Sequence, residues 1–173
     1  MSKLLRITAL ATLLCAAVPA AQAATYSFSG MMDSGSLIGE SFTGNFSFDD
    51  LGLTGVDLEI RGLNSLSLSF LGNTYTVGNA DSMPDVSFLN GSFLGLSYSV
   101  TTSTLGFSVI PGFSDTSDAF VAYDKLSGGN IVDGQSGYGS IVYLPVPEPE
   151  SYAMLLAGLG LMGVVARRRS QAT

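Results

Sequence analysis

The stretch from Ser65 to Val77, "SLSLSFLGNTYTV", decides the fold. Its first six residues alternate without a break: Leu66, Leu68 and Phe70 fall on one side, Ser65, Ser67 and Ser69 on the other. Successive side chains of a strand point to opposite faces. Period two with serine on one face therefore describes a half-buried antiparallel strand and not a helix. The rhythm recurs at Phe46 and Phe48 in "NFSFDD" and at Leu96, Tyr98 and Val100 in "GLSYSV". Asn90-Gly91 sits between apolar runs and tolerates the positive φ angles of a two-residue type I′ hairpin, and Gly72-Asn73 offers the same chemistry. Further strands are predicted near residues 26–29, 56–60, 104–110, 119–123 and 138–144, and no segment before Pro145 keeps a helical period. Short strands with turn signals about every eight to twelve residues predict an all-β domain over residues 24–144, an antiparallel β-sandwich of jelly-roll type.

The N-terminal segment is of another kind. Lys3 and Arg6 precede an apolar run from Ile7 to Val18, and Ala21-Gln22-Ala23 supplies the small-x-small pattern of a signal-peptidase site. Residues 1–23 are expected to be a signal helix, cleaved after Ala23, with the Sec translocon and signal peptidase as partners in export. The single cysteine, Cys15, would leave with it. The exported chain then has no disulfide and must hold by burial and strand pairing alone.

Charge excludes some partners. Between the signal and residue 145 the only basic residues are Arg61 and Lys125, against all 14 acidic residues except Glu148 and Glu150. Nucleic acid needs a basic footprint, and anionic lipid head groups attract the same residues, so neither suits this domain. No cofactor is expected. The chain has no histidine, which removes serine triads of the common kind and the usual zinc ligands.

The C-terminal segment, "LPVPEPESYAMLLAGLGLMGVVARRRS", changes character again. Pro145, Pro147 and Pro149 rule out helix and remove sheet donors, so residues 145–151 read as an extended spacer. Residues 152–166 carry no charge and span about 22 Å as a helix, short of the roughly 30 Å hydrocarbon core. The flanks favour a single transmembrane helix. Arg167, Arg168 and Arg169, in the basic tail 167–173, would stop translocation and mark the cytoplasmic side, while Tyr152 suits the outer interface.

With Val146-Pro147-Glu148-Pro149, the glycine-bearing apolar span and the three arginines in that order, the tail resembles the C-terminal sorting signal of PEP-CTERM proteins. The resemblance implies processing by an exosortase, a membrane-embedded cysteine transpeptidase that cuts near the PEP tripeptide. It also implies an exported precursor anchored in the inner membrane, then delivered to the cell surface or extracellular matrix. In that chemistry the chain is a substrate and supplies no nucleophile.

For the domain itself two function classes stand. One is a noncatalytic surface or matrix protein, associated with exopolysaccharide in a biofilm-like setting. The alternative is a small carboxylate-dependent glycan-active enzyme, or a calcium-dependent carbohydrate-binding module. Asp49, Asp50, Asp57 and Glu59 are the hard oxygen donors that calcium would use, but their spacing matches no EF-hand loop. Most other acids fall where turns are expected, and an aspartate at a turn is explained by its own bond to the backbone.

Overall fold

The computed structural model describes residues 23–147, together with 155, 156, 158–162 and 167. Ten strands follow in chain order: β1 (Ala23–Met32), β2 (Ser41–Asp49), β3 (Leu58–Phe70), β4 (Asn73–Thr76), β5 (Asp85–Leu89), β6 (Ser92–Thr101), β7 (Leu105–Ile110), β8 (Phe120–Ser127), β9 (Asn130–Ile131) and β10 (Gly137–Pro145). All their pairings are antiparallel. The strands predicted from the alternation are all present, and the one expected near residues 56–60 begins at Leu58 as the start of the long β3.

Sheet neighbours are chain neighbours, and β10 closes the ring by pairing β1 on one side and β8 on the other. β4 and β5 share one edge of β3, β4 against residues 67–70 and β5 against 58–62, and together act as one broken stave. β9 is a short appendage of β8. The architecture is an up-and-down barrel of eight staves. This corrects the predicted sandwich. A jelly roll separates consecutive strands by Greek-key connections, whereas here they lie side by side. Alternation states which face of a strand is buried, and sandwich and barrel both bury one face.

An eight-stranded barrel is just wide enough for side chains to fill, and aromatic rings fill this one. Phe46 is fully buried, and Phe28, Phe42, Phe48 and Phe70 line the same core. Leu66, Leu68 and Phe70 are 5%, 1% and 2% exposed, while Ser65 and Ser69 face water and Ser67 is half-buried. Two glycines make room for the rings. Phe28 lies opposite Gly44 and Phe42 opposite Gly30. A Cβ on Gly44 would collide with the Phe28 ring and the Ser67 carbonyl, and one on Gly30 with the Phe42 ring and the Ser140 carbonyl.

Two register shifts bend the wall. Asn64 is an extra residue between the pairs Ser47–Ser65 and Phe48–Leu63, so Leu63 packs on the core although it is an odd position beside the even Leu66 and Leu68. Leu94 is a second extra residue, next to Gly95 at φ 133°. The Asn90-Gly91 hairpin forms as predicted, with φ of 49° and 81°. The neighbouring prediction is off by one. Phe70 pairs with Asn73, so the turn residues are Leu71 and Gly72 rather than Gly72 and Asn73.

Antiparallel order sorts the loops to two ends. The first strand starts, and the last strand ends, at the end that carries residues 50–57, Asn90-Gly91 and residues 111–119. The opposite end carries residues 33–40, Leu71-Gly72, residues 102–104 and residues 128–136.

Candidate functional site

The tail leaves the barrel from a held position. Pro145 lies opposite Tyr26, and the Val146 amide donates to the Thr25 carbonyl at 2.9 Å. The sheet therefore grips the first two residues of the segment expected to be spacer, and Pro147 follows, exposed and outside any strand. Proline lacks the donor that would extend the ladder, which gives the release a chemical cause.

Tyr143 fastens this last strand from inside. Its ring packs against Phe28, Phe46 and Phe93, and its hydroxyl accepts the Leu96 amide at 3.1 Å. Burial pushes the phenol far above its ordinary value, with the Leu96 bond acting the other way. Two more interior tyrosines satisfy backbone groups. The Tyr98 hydroxyl donates to the Thr76 carbonyl at 2.8 Å, and burial, with smaller contributions from Tyr75 and Asp81, raises it to about 12. The Tyr123 hydroxyl donates to Ser34 and accepts from the Leu37 amide.

Of the sorting residues, Val146 and Pro147 are placed as above, while Glu148, Pro149, Arg168 and Arg169 lie outside the described residues. Ala23 opens β1 opposite Asp49, and Ala21, with the rest of residues 1–22, also lies outside. Within the expected span, residues 155, 156 and 158–162 are helical and exposed, as is Arg167. Among the described residues no helix is long and apolar enough to cross a membrane.

Two of the four calcium candidates, Glu59 and Asp49, have their carboxylates spent on local structure. Glu59 accepts the Thr54 and Gly55 amides, both at 2.8 Å, and these bonds, with Arg61 nearby, hold its carboxyl below the usual range. Asp49 accepts the Leu51 amide at 2.9 Å. Asp57, at φ 58°, is tied to Asn90 through its backbone alone: its amide donates to the Asn90 side-chain oxygen at 3.0 Å and its carbonyl accepts the Asn90 amide at 2.9 Å. No such bond of the Asp50 side chain is seen. Among the described residues no three acidic, histidine or cysteine side chains are grouped to hold a metal. Elsewhere the turn reading is seen at Asp115, which caps the Ser117 amide at 2.7 Å, whereas Asp81 reaches across to the amide and the hydroxyl of Thr101 at the end of β6.

The end of the barrel away from the tail holds three shallow hollows that meet at Leu71. One, of about 230 Å³, lies between residues 40–43 and 69–72. The second, of about 380 Å³, runs between Thr74 and Asn79 on one bank and Thr102 and Thr104 on the other. The third, of about 330 Å³, continues past Thr104 to Lys125 and Gln135. Glu40 is the only acid that lines them. Nothing in the sequence joins Thr74 to Thr104, which stand thirty residues apart. The signal that could have pointed here was Lys125, one of two cations in a strongly acidic domain.

Comparison with known proteins bears on the tail alone. Residues 145–169 match the family model described as the PEP-CTERM protein-sorting motif. Neither the curated proteins nor the solved structures compared with the chain gave a match. The match starts at Pro145, the last residue of β10, so the sorting signal begins where the barrel ends. The chain thus carries a PEP-CTERM protein-sorting motif at residues 145–169, joined directly to the last strand of the barrel, and that motif implies processing by an exosortase.

Proposed function

We propose that this chain is a noncatalytic, exported surface or matrix protein, held in the inner membrane by residues 152–166 until an exosortase cuts near Pro147-Glu148-Pro149. The signal at residues 1–23 would start export, and Arg167, Arg168 and Arg169 would stop it. The observation that carries this reading is the junction itself. The last sheet bond is at Val146, and the motif follows directly, with prolines that keep it from being drawn into the barrel. An anchor this close to the cut site would raise the site's local concentration beside a membrane enzyme. The noncatalytic part is supported by an interior filled with side chains and by hollows lined by a single acid. Association with exopolysaccharide is supported by the hydroxyl- and amide-rich lining at the far end.

The test is to replace Pro147, Glu148 and Pro149 together by alanine and follow intact mass and cell fraction in cells with an active exosortase. Wild type should appear as a C-terminally trimmed, released product. The triple variant should accumulate uncut in the inner membrane, since signal and span are untouched. The same trimmed product from both would make the motif a mere linker.

A further inference from the structure

The second and third hollows share Leu71, Thr104 and Leu105, and so form one groove across the barrel mouth that faces away from the tail. Three features mark it out. The first is Leu71, which stands at φ 51° in a two-residue turn where glycine or asparagine costs least. A leucine in the left-handed region is strained, because its Cβ crowds the following carbonyl oxygen. Its side chain nevertheless lines all three hollows, and strain kept in place at a cleft is a pointer to use.

The second feature is Lys125. Arg61, the other cation of the barrel, is committed: it donates to the Gly52 carbonyl at 2.7 Å and lies 3.8 Å from Glu59. Lys125 occupies the inward parity of β8, half-buried at the mouth opposite Leu105, and among the described residues its ammonium has no ion pair or hydrogen bond. The third is the state of the polar lining. Thr102 is consumed by the turn it stabilises, but the hydroxyls of Thr74 and Thr104 and the side-chain amide of Gln135 have no partner among the described residues. Asn79 uses its oxygen on Thr76 and leaves its NH2 group unspent.

An unpaired ammonium among unspent hydroxyls and amides, over an apolar floor of Leu71 and Tyr75, matches a sugar chain that carries one carboxylate among neutral hydroxyls. We propose that this groove binds an acidic polysaccharide segment, with Lys125 on a uronate carboxylate and Thr74, Thr104, Asn79 and Gln135 on the hydroxyls. Glu40 in the adjoining hollow, with Asp124 and Asp133 close by in sequence to the Lys125 and Gln135 bank, disfavours a continuous polyanion, so the fitting glycan alternates charged and neutral sugars. The inference rests on the exopolysaccharide reading above and adds ligand class and site to it.

The test uses the full chain in detergent, titrated with a hyaluronan tetrasaccharide and, in parallel, with neutral chitotetraose. The acidic sugar should bind with an affinity that falls as salt rises, and Lys125→Gln should weaken it at least about tenfold, the loss of one charge-assisted hydrogen bond. Leu71→Gly should also weaken binding while leaving thermal stability equal or higher, a combination that mere damage to the fold would not give. Equal binding of the neutral sugar, or no effect of Lys125→Gln, overturns the acidic assignment but keeps glycan association. Binding of neither sugar overturns both.

Discussion

The barrel and the tail store information in opposite ways. In the barrel, meaning is spread over pairings between residues far apart in the chain, such as Tyr26 with Pro145 and Gly30 with Ile141. No short string carries it. In the tail a string of 25 residues suffices for a family match, with little described structure behind it. The difference follows from what each part must do. A sheet is specified by which face of each strand is buried, and many sequences satisfy that. A signal is read by an enzyme, so its residues and their order are what count. Changes in the barrel should therefore cost stability and spare processing, and changes in the motif should do the reverse.

The sharpest contrast within the barrel sits on adjacent residues. Leu68→Ala should cost about 2–5 kcal/mol, because Leu68 is almost fully buried, and Ser67→Ala should stay within about 0.5 kcal/mol. Denaturant midpoints decide it, and equal costs would break the inside-outside assignment. Gly44→Ala comes next. It has no cavity to fill, only the Phe28 ring and a carbonyl to displace, and overpacking of this kind costs about 1–3 kcal/mol. A neutral result would mean that the ring does not lie over the glycine.

An effect of similar size tests the latch. Tyr143→Phe keeps the ring but leaves the Leu96 amide without its partner, at a cost of about 1–3 kcal/mol. It should also change the pH profile. A phenol whose folded pKa is raised gives stability that is complete below its unfolded value near 10 and is lost as pH rises. Tyr98 behaves alike, with loss running from about pH 10 up through about 12. The wild-type barrel should therefore weaken steeply in that window, and Tyr143→Phe should flatten the fall. Urea titrations from pH 8 to about 12 measure the slope. An unchanged slope would place Tyr143 in water.

How far the sequence could be read follows from the same contrast. Strand positions and faces were legible because Leu66, Leu68 and Phe70, like Phe46 and Phe48, announce their period locally. Closure was not, since it depends on β10 meeting both β1 and β8, and Ile141 looks the same in a sandwich. The Leu71-Gly72 turn was misplaced by one because nothing in a leucine signals a positive φ. The bulge at Asn64 was hidden for a related reason: an extra residue is visible only against the partner strand. The groove went unseen because Thr74 and Lys125 come from two separate staves and Thr104 from the loop between two others, and they are brought together only at the barrel mouth. The sorting motif needed no fold at all.

The separation of signal from barrel can be tested directly by grafting residues 145–173 onto an unrelated exported protein. Intact mass and cell fraction would be compared in cells with and without exosortase. The graft should be trimmed and released only where the exosortase is active, at the same place in the motif as in the native chain. A graft that stays uncut while the native chain is processed would show that the barrel takes part in recognition, and would contradict the account.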